Sequence, residues 1–464
     1  MFYTLRMIAK KSQKIIRTDQ WSLKPSAPQQ LMFAETISIY QRACKFLTSI
    51  LFTHWDTIGS LDTKEAVTAV ERLMHQTKKN PNPKYKIFNR VFYKLPSYYR
   101  RAAIAFSLGQ VSSFVTRYRD WQCGQSRKRR DAKPPLLTMV ANCYPALYQG
   151  QCYRLDSLEE IQIKVLNGKN WVWTTVGIVS TRNRHTIPAN KQLSPSLIQR
   201  NGKAWLSVPF HCKPDHKKEV NRVVGVDLGI NKTAVISVVE SDGTVIYREF
   251  IHPGRDIDRR DKKLKSVSRK ASKTMGKGGR LHKGFCRNTY RKCRHINRQI
   301  AQIVSKGIVE ISIEYNVSVI AFEYLKNWKP KGGKKKSNLK QRFHGWLKSI
   351  IRELTEMKWI ESGGKIHDVV ARGTSSNAYD GSGTVWRDRK NYALARFSNG
   401  KRYNADLSAS YNIAARAIQE LTRRNDSENR SSKSSTRLPR SRAVLCDLWV
   451  TSNDSIGHPH LKQS

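Results

Sequence analysis

The sequence is poor in acidic residues. Its 464 residues contain 35 aspartates and glutamates against 85 lysines and arginines, which gives a formal net charge of +50. Like charges in this excess repel one another unless a polyanion neutralises them, so the composition indicates a nucleic-acid partner. Composition alone does not distinguish RNA from DNA.

Long apolar runs are also missing. No hydrophobic run is long enough to span a bilayer, and residues 1–17 lack the apolar stretch of a secretory signal. The eight cysteines are scattered and include no CxxC pair, a pattern typical of reduced thiols rather than of a disulfide framework. We therefore expect a cytoplasmic protein of two to four domains with no membrane partner.

The pattern of apolar and polar residues changes along the first half of the sequence. Residues 1–24 favour a strand, residues 25–132 are mostly helical in pattern, and residues 133–220 contain alternating segments separated by Asn-Gly turns. We interpret the first and third of these ranges as one β-rich domain, with helices inserted after its first strand.

A different region begins near Val223. VVGVDLG predicts a strand, two further strands meet at an Asp-Gly turn, and a basic helical stretch over 256–316 leads to the strand SVIAFEYL. A helix, a strand and a polar insert then precede the alanine-rich helix ADLSASYNIAARAI. Residues 422–464 are rich in Ser, Arg and Asn, which favours a disordered tail.

Three acids stand out in this region. Asp227 and Glu323 are each the single acid of an otherwise apolar strand, where a carboxylate is costly unless something compensates it. Asp406 lies in the first turn of a helix, where a helix-dipole role is the ordinary explanation. Gly225 and Gly229 flank Asp227 on its own face of the strand, and we expect them to leave space beside it.

Each acid taken singly could be a salt-bridge partner or a residue at the end of an element. Their joint occurrence in the order strand, strand, helix favours a shared site. Converging carboxylates suit hard divalent cations such as Mg²⁺ or Mn²⁺, which prefer oxygen ligands. A pair of such ions could activate a water and stabilise the leaving oxygen of a phosphodiester.

Three segments resemble the RuvC motifs of the transposon-encoded TnpB nucleases and of their descendants, the compact type V CRISPR effectors. VVGVDLGINKTAV looks like the first motif, VSVIAFEYLKNW like the second and YNADLSASYNIAARAI like the third. The third is the most specific, because Asn404, Asp406 and Asn412 all match the family pattern. The resemblance covers residues 223–418 and implies that Asp227, Glu323 and Asp406 are the catalytic, metal-binding acids.

The resemblance also implies a fold class and partners. It predicts an α/β multidomain protein with an RNase H-like (RuvC) nuclease domain and an N-terminal β-barrel-like wedge domain into which a helical recognition domain is inserted. The implied cofactor is Mg²⁺ or Mn²⁺, and the implied partners are a guide RNA and double-stranded target DNA. A monomer near the nucleoid of a prokaryotic cell is expected. The predicted domains are the wedge over 1–24 and 133–220, the recognition domain over 25–132 and the nuclease domain over 221–373 and 401–421.

The segment 374–400 departs from the family pattern. Most family members carry a zinc ribbon with two CxxC pairs between the second and third motifs, whereas this segment contains no cysteine. We expect a degenerate ribbon-like hairpin that is held by hydrogen bonds and packing and binds no zinc. The residues at the approximate cysteine positions are Ala378, Gly381, Arg396 and Asn399.

Basic and aromatic residues are candidates for nucleic-acid contacts. Lysine and arginine would bind phosphates and release counterions, and aromatic rings could stack on bases, although core packing is the commoner role of a single ring. Trp171 and Trp173 are in this second group. The other candidates are Tyr98, Tyr99, Arg100, Arg101, Lys262, Lys263, Arg269, Lys270, Arg287 and Arg291.

Three functions follow from these observations. The leading hypothesis is an RNA-guided DNA endonuclease that cuts target DNA with one two-metal carboxylate site. An RNA-guided DNA-binding protein with weak or no cleavage, active in targeted transposition or silencing, is the first alternative, and the presence of all three acids weighs against it. A DDE-type transposase is the second alternative, and the YNAD context of Asp406 favours the nuclease family instead.

Overall fold

The computed structural model describes residues 15–429 except for 79, 125–132, 138–142, 156, 158, 181–183, 215–220, 230–231, 276–279, 326–346 and 389–390. The chain divides into two compact units, Met1–Lys213 and Pro214–Ser464. No helix among the described residues is long and apolar enough to cross a membrane. The basic loop KPKGGKKK and residues 430–464 of the predicted tail lie outside the described residues.

Among its described residues, the first unit combines five α-helices with a seven-stranded antiparallel sheet. The sheet has the order β2-β3-β4-β1-β7-β5, and β6 pairs with β7. Its strands are β1 (Ile15–Lys24), β2 (Tyr153–Arg154), β3 (Glu160–Asn167), β4 (Asn170–Val179), β5 (Lys191–Gln192), β6 (Ser196–Arg200) and β7 (Lys203–Cys212). The helices are α1 (Ala27–Thr53), α2 (Trp55–Ile58), α3 (Thr63–Met74), α4 (Ile87–Val91) and α5 (Ser97–Gln122).

The strand β1 lies between β4 and β7, although all five helices separate it from them in the sequence. The helix α1 begins at a capping box formed by Ser26 and Gln29, and the Gln29 amide also donates to Thr174 Oγ1 on β4 at 2.9 Å. The predicted insertion of helices after the first strand is therefore present. Helices and sheet belong to one compact unit, while the closed β-barrel and the separate recognition domain stay predictions.

The second unit is built on a five-stranded sheet of order β10-β9-β8-β11-β12. The strands β8, β11 and β12 are parallel, and β9 runs antiparallel to both of its neighbours. The strands are β8 (Arg222–Asp227), β9 (Ala234–Glu240), β10 (Val245–Ile251), β11 (Val319–Glu323) and β12 (Lys365–Val369). The helices are α6 (Gly254–Thr274), α7 (Arg287–Glu314), α8 (Lys348–Glu361) and α9 (Ala405–Asn429).

Helices cover both faces of this sheet. On one face, Val224 and Val226 pack in a core with Ile300 of α7 and Trp359 of α8. On the other face, Val223 packs in a second core with residues of α9 that include Ala414. Because side chains alternate along a strand, Asp227 shares a face with Val223 and Gly225 and therefore points towards α9.

Gly225 determines how closely α9 approaches β8. A Cβ atom at this position would lie 2.1 Å from the Ser410 carbonyl oxygen and 2.8 Å from the Ala414 nitrogen. The expectation that Gly225 leaves open space beside Asp227 is wrong in this respect, because the helix backbone fills that space. Gly229 likewise faces backbone, since its Cβ would lie 2.6 Å from the Lys232 carbonyl oxygen.

The insert between β12 and α9 contains a small antiparallel sheet of three strands, β13 (Trp386–Arg387), β14 (Leu394–Arg396) and β15 (Arg402–Asn404). The last of these leads directly into α9. That helix continues to Asn429 and so extends into the segment predicted as a disordered tail.

The close contact at Gly225 gives a test of the fold. Gly225→Ala should destabilise the second unit by about 3 kcal/mol or more, because helix backbone cannot move aside as a side chain can. Gly109→Ala in α5 is the matched control, since its Cβ would meet no atom within 4 Å, and it should stabilise by up to about 1 kcal/mol. Urea unfolding measures both changes. Equal stabilities for the two variants would contradict the packing described.

Candidate active site

Two of the three acids end neighbouring parallel strands. Asp227 is the last residue of β8, Glu323 is the last residue of β11, and Phe322 is paired with Val226 immediately before them. Register therefore places both carboxylates at the same edge of the sheet and on the face covered by α9. The apolar strands explain this placement, since each acid stands where its strand leaves the core.

The third acid lies at the start of α9. Asp406 is the second residue of the helix, and the side chain of Asn404 accepts hydrogen bonds from the Asp406 and Leu407 backbone N–H groups, both at 3.0 Å. Asn404 thus caps the helix. The partial positive charge of the helix N-terminus favours an anionic side chain there.

Burial and mutual repulsion act on the carboxyl groups. Burial raises the pKa of Asp227 well above its usual range, and the charges of Glu323 and Asp406 raise it further. Burial also raises the pKa values of Glu323 and Asp406. Ionisation of Asp227 is therefore costly while Glu323 and Asp406 carry their charges.

Two side chains outside the strands hold Glu323. The hydroxyl of the buried Thr374 donates to Glu323 Oε1, and this bond lowers the pKa of the acid, as does the charge of Arg416. Arg416 on α9 also donates to the Val370 carbonyl oxygen. Glu323 is thereby fixed between the end of β11 and the first residues after β12.

Arg387 is the cation that all three acids share among the described residues. Its Nη1 lies 3.6 Å from Asp406 Oδ1, and its charge opposes the rise in the pKa of Asp227, Glu323 and Asp406 alike. Sequence reasoning missed Arg387, because it belongs to the insert and carries no local signal. Thr374 was likewise not among the predicted site residues.

The donor set suits a hard divalent cation. All three groups are carboxylates, and the repulsion that raises the pKa of Asp227 is what a divalent cation would relieve. Within the part of the chain that the structure describes, however, no three His, Cys, Asp or Glu side chains are close enough to hold a metal ion. The acids match Mg²⁺ or Mn²⁺ in chemistry, but they are not drawn together into a compact ligand set.

The insert is held to α9 and to itself by hydrogen bonds. Asn412 of α9 donates to the Thr374 and Asn377 carbonyl oxygens at 2.8 and 2.9 Å. Asn399 donates to Asp380 Oδ2 at 3.2 Å and so links the two turns where the family's cysteine pairs would stand. These bonds agree with the expected ribbon-like hairpin.

Side-chain packing also stabilises the insert. Ala378 is buried, Gly381 closes its turn with a bond to the Ala378 carbonyl oxygen, and Arg396 is exposed on β14. The Lys401 ammonium donates to the Tyr379 hydroxyl at 2.9 Å, and Tyr379 packs edge-on against Phe397 with ring centroids 5.7 Å apart.

Two of the predicted nucleic-acid contacts are wrong. Tyr99 is fully buried, donates to the Lys164 carbonyl oxygen at 2.8 Å and packs against Trp171 with ring centroids 5.1 Å apart. Arg100 is 9% exposed and pairs with Glu71 at 3.2 Å. Both stabilise the core of the first unit, because the face of α5 that carries them packs inwards.

The other candidates are at least partly exposed. In the first unit, Tyr98 and Arg101 lie near each other, and Trp173 lies under the Arg154 guanidinium at 4.4 Å. In the second unit, Lys263 is partly buried. The exposed cations there are Lys262, Arg269, Lys270, Arg287 and Arg291. Their role in binding nucleic acid stays a prediction.

The raised pKa of Asp227 makes stability depend on pH. An unfolded Asp has a pKa of about 4, so above that value the folded protein holds a proton that the unfolded chain has lost. Stability therefore falls as pH rises from there towards the raised folded pKa. Without divalent cations at pH 8, Asp227→Asn should raise the melting temperature by about 2–4 °C, equivalent to about 1 kcal/mol.

Differential scanning calorimetry in EDTA measures this effect, and repetition at lower pH provides its control because the gain should shrink there. A variant less stable than the parent at pH 8 would show that Asp227 is a structural partner rather than a strained acid.

Family models match two parts of the chain. Residues 207–329 match the OrfB_IS605 model, described as a probable transposase, and residues 17–167 match the Aq_aa04 family. The first match includes Asp227 and Glu323 and ends before Asp406. No curated protein matches the chain.

Solved structures with similarity to the chain include two complexes with a guide RNA and one RNA-guided endonuclease. Cas12f1 with sgRNA and target DNA is 12% identical, with a TM-score of 0.31 over 86% of this chain and 99% of that one. The mini-RNA-guided endonuclease CRISPR-Cas_phi3 is 11% identical, with a TM-score of 0.49 over 87% and 92%. C2c1 of Alicyclobacillus acidoterrestris with single-guide RNA is 10% identical, with a TM-score of 0.43 over 92% and 73%.

The match to the OrfB_IS605 model overlaps two of the three motifs on which the resemblance was based. Through residues 207–329 the chain is similar to the OrfB_IS605 probable transposases, and this similarity confirms the predicted resemblance to the TnpB-like family.

Proposed function

We propose that this protein is an RNA-guided DNA endonuclease that cuts with a single RuvC-type carboxylate site. The observation that carries the proposal is the position of Asp227 and Glu323 at the ends of adjacent parallel strands, with Asp406 at the start of α9, where each feels the charge of another or of the shared Arg387. Three acids gathered at a cost in stability indicate a functional site more than a structural one.

The topology of the second unit supports an RNase H-like nuclease domain. When β8 is counted as strand 1, the strands follow the order 3-2-1-4-5 across the sheet. Only strand 2, which is β9, runs antiparallel to the others. The first acid ends strand 1 and the second ends strand 4. Since those two strands are adjacent and parallel, the fold itself brings the acids together.

Each residue of the site has a role in this proposal. Asp227, Glu323 and Asp406 would hold Mg²⁺ or Mn²⁺, and the bound ions would supply an activated water and charge stabilisation at the leaving oxygen. Thr374 fixes the orientation of Glu323 through its hydroxyl. Asn404 fixes the first turn of α9 and with it the position of Asp406.

The pair of helices α6 and α7 offers a surface for phosphates. The side chains between them form a concave site that includes Arg259, Lys263 and Arg291. With a chain charge of +50, this surface would bind RNA or DNA through counterion release and with strong salt dependence. In the proposal a guide RNA covers much of the basic surface, and pairing between guide and target reads the DNA sequence.

A DDE-type transposase is the second candidate, favoured by the description of the matched family as a probable transposase. Such an enzyme would use the same acids for strand transfer and would act without RNA. An RNA-guided binder without cleavage is less favoured, because the site retains all three acids.

The catalytic role of the acids is testable in the purified complex. Asp227→Ala should lower target cleavage by at least ~10³-fold, the scale expected when a group acting in the transition state is removed. RNA-guided binding of DNA should be nearly unchanged. A gel-based cleavage assay and a filter-binding assay measure the two quantities.

Asp242→Ala is the matched control for that experiment. Asp242 lies in the turn between β9 and β10, where it accepts a hydrogen bond from the Thr244 N–H at 2.8 Å, and its loss should leave cleavage near the parental rate. Full activity of the Asp227 variant would remove this acid from the mechanism.

The dependence on RNA separates the nuclease from the transposase. Protein purified with its copurifying RNA should cut a plasmid library at defined sites, and sequencing of that RNA should reveal the matching guide. Protein stripped of RNA should show only non-specific, salt-sensitive binding. Specific cutting or strand transfer by RNA-free protein would favour the transposase.

A further inference from the structure

The position of Arg387 relative to the acids is set by the insert. Arg387 lies on β13, opposite the buried Ala395 of β14, and β14 in turn pairs with β15. Since β15 leads directly into α9, the hairpin places the arginine beside the first turn of the helix that carries Asp406. The guanidinium is therefore presented by a folded sheet.

The insert is itself tied to the sheet of the second unit. The Arg248 guanidinium on β10 donates to the hydroxyls of Tyr403 and Tyr411 at 3.0 and 3.2 Å. Asn412 holds the start of the insert through two backbone carbonyls. These contacts hold the insert in place, so any movement of Arg387 away from the acids is a movement of its side chain.

The other nearby cations act on single acids. Lys232 lowers the pKa of Asp406, and Arg416 lowers that of Glu323. Arg416 also donates to the Val370 carbonyl oxygen. Among the described residues, Arg387 alone acts on the whole group, and its side chain is 26% exposed, within reach of an incoming charged group.

We propose that Arg387 is a displaceable counter-cation of the acid site, which competes with divalent cations for Asp406 and its neighbours. This inference rests on the proposed function, because it takes the three acids as the metal-binding group. A guanidinium 3.6 Å from Asp406 Oδ1 repels a divalent cation bound to the same carboxylate. The site is thereby kept poor in metal until the arginine moves.

A phosphate group is the natural alternative partner for the displaced arginine. Guanidinium groups bind phosphate oxygens through two parallel hydrogen bonds, which makes a nucleic-acid backbone a strong competitor for Asp406. Transfer of Arg387 from Asp406 to a phosphate would raise the affinity of the acids for metal. Metal and nucleic acid would then bind with positive coupling, and each would strengthen the binding of the other by the same factor.

Isothermal titration with Mn²⁺ alone tests the proposal on the full chain. Arg387→Ala and Arg387→Gln should each bind Mn²⁺ more tightly than the parent by about 3- to 30-fold, because one positive charge is removed from the site. Arg387→Lys keeps the charge and should bind as the parent does. Arg396→Ala is the control, since Arg396 is exposed on the neighbouring strand of the same hairpin.

Circular dichroism in EDTA verifies that each variant is folded. If Arg387→Ala unfolds the insert, Arg387→Gln still tests the proposal, because it retains a polar side chain. Folded alanine and glutamine variants with parental or weaker Mn²⁺ affinity would overturn the counter-cation role. An Asp227→Ala variant distinguishes this result from failure of the proposed function. If neither the parent nor the folded Arg387→Gln variant shows Mn²⁺ binding that Asp227→Ala removes, both proposals are wrong.

Discussion

The approach of α9 to β8 at Gly225 is the contact on which the second unit depends. A helix backbone can reach a strand this closely only where the strand lacks a side chain, and a Cβ here would overlap the Ser410 carbonyl oxygen. The contact fixes the position of α9 along the length of β8. Because Asp227 follows Gly225 by two residues on the same face, the helix start and its Asp406 come to lie beside the strand end. One glycine thus positions the third acid relative to the first two.

Gathering three carboxylates has an electrostatic cost that the surrounding protein only partly offsets. Burial raises the pKa of each acid, while one hydrogen bond and the charges of Arg387, Arg416 and Lys232 act in the opposite direction. The hydrogen bond comes from Thr374 and the shared charge from Arg387, both in the segment that joins β12 to α9. The insert therefore belongs to the acid site as much as to any surface for nucleic acid. Its residues decide how much negative charge the site presents to cations.

The parts of the site that sequence reasoning predicts are those with a local signal. Asp227 and Glu323 are isolated acids within segments predicted as apolar strands, and the structure places each at the last residue of its strand, β8 or β11. Arg387 has no such signal, because its contact with Asp406 depends on the register of a hairpin. Tyr99 was misassigned for a related reason: an aromatic residue beside arginines has the same pattern whether it faces solvent or the core. Whether Tyr99 is buried depends on which face of α5 packs against the core. The hydrophobic periodicity of the α5 sequence is too weak to predict that face.

The cysteine-free insert has a consequence for the conditions in which the protein keeps its shape. Its two turns are joined by the Asn399–Asp380 bond and by the contact between Lys401 and Tyr379, and neither involves a thiolate. Residues 374–400 contain neither cysteine nor methionine, so the segment has no sulfur for peroxide to oxidise. The segment is held by hydrogen bonds and aromatic packing, so the oxidation of a thiol cannot disrupt it. The segment that carries Arg387 would therefore keep its fold under conditions that oxidise the thiolates of a cysteine-based ribbon.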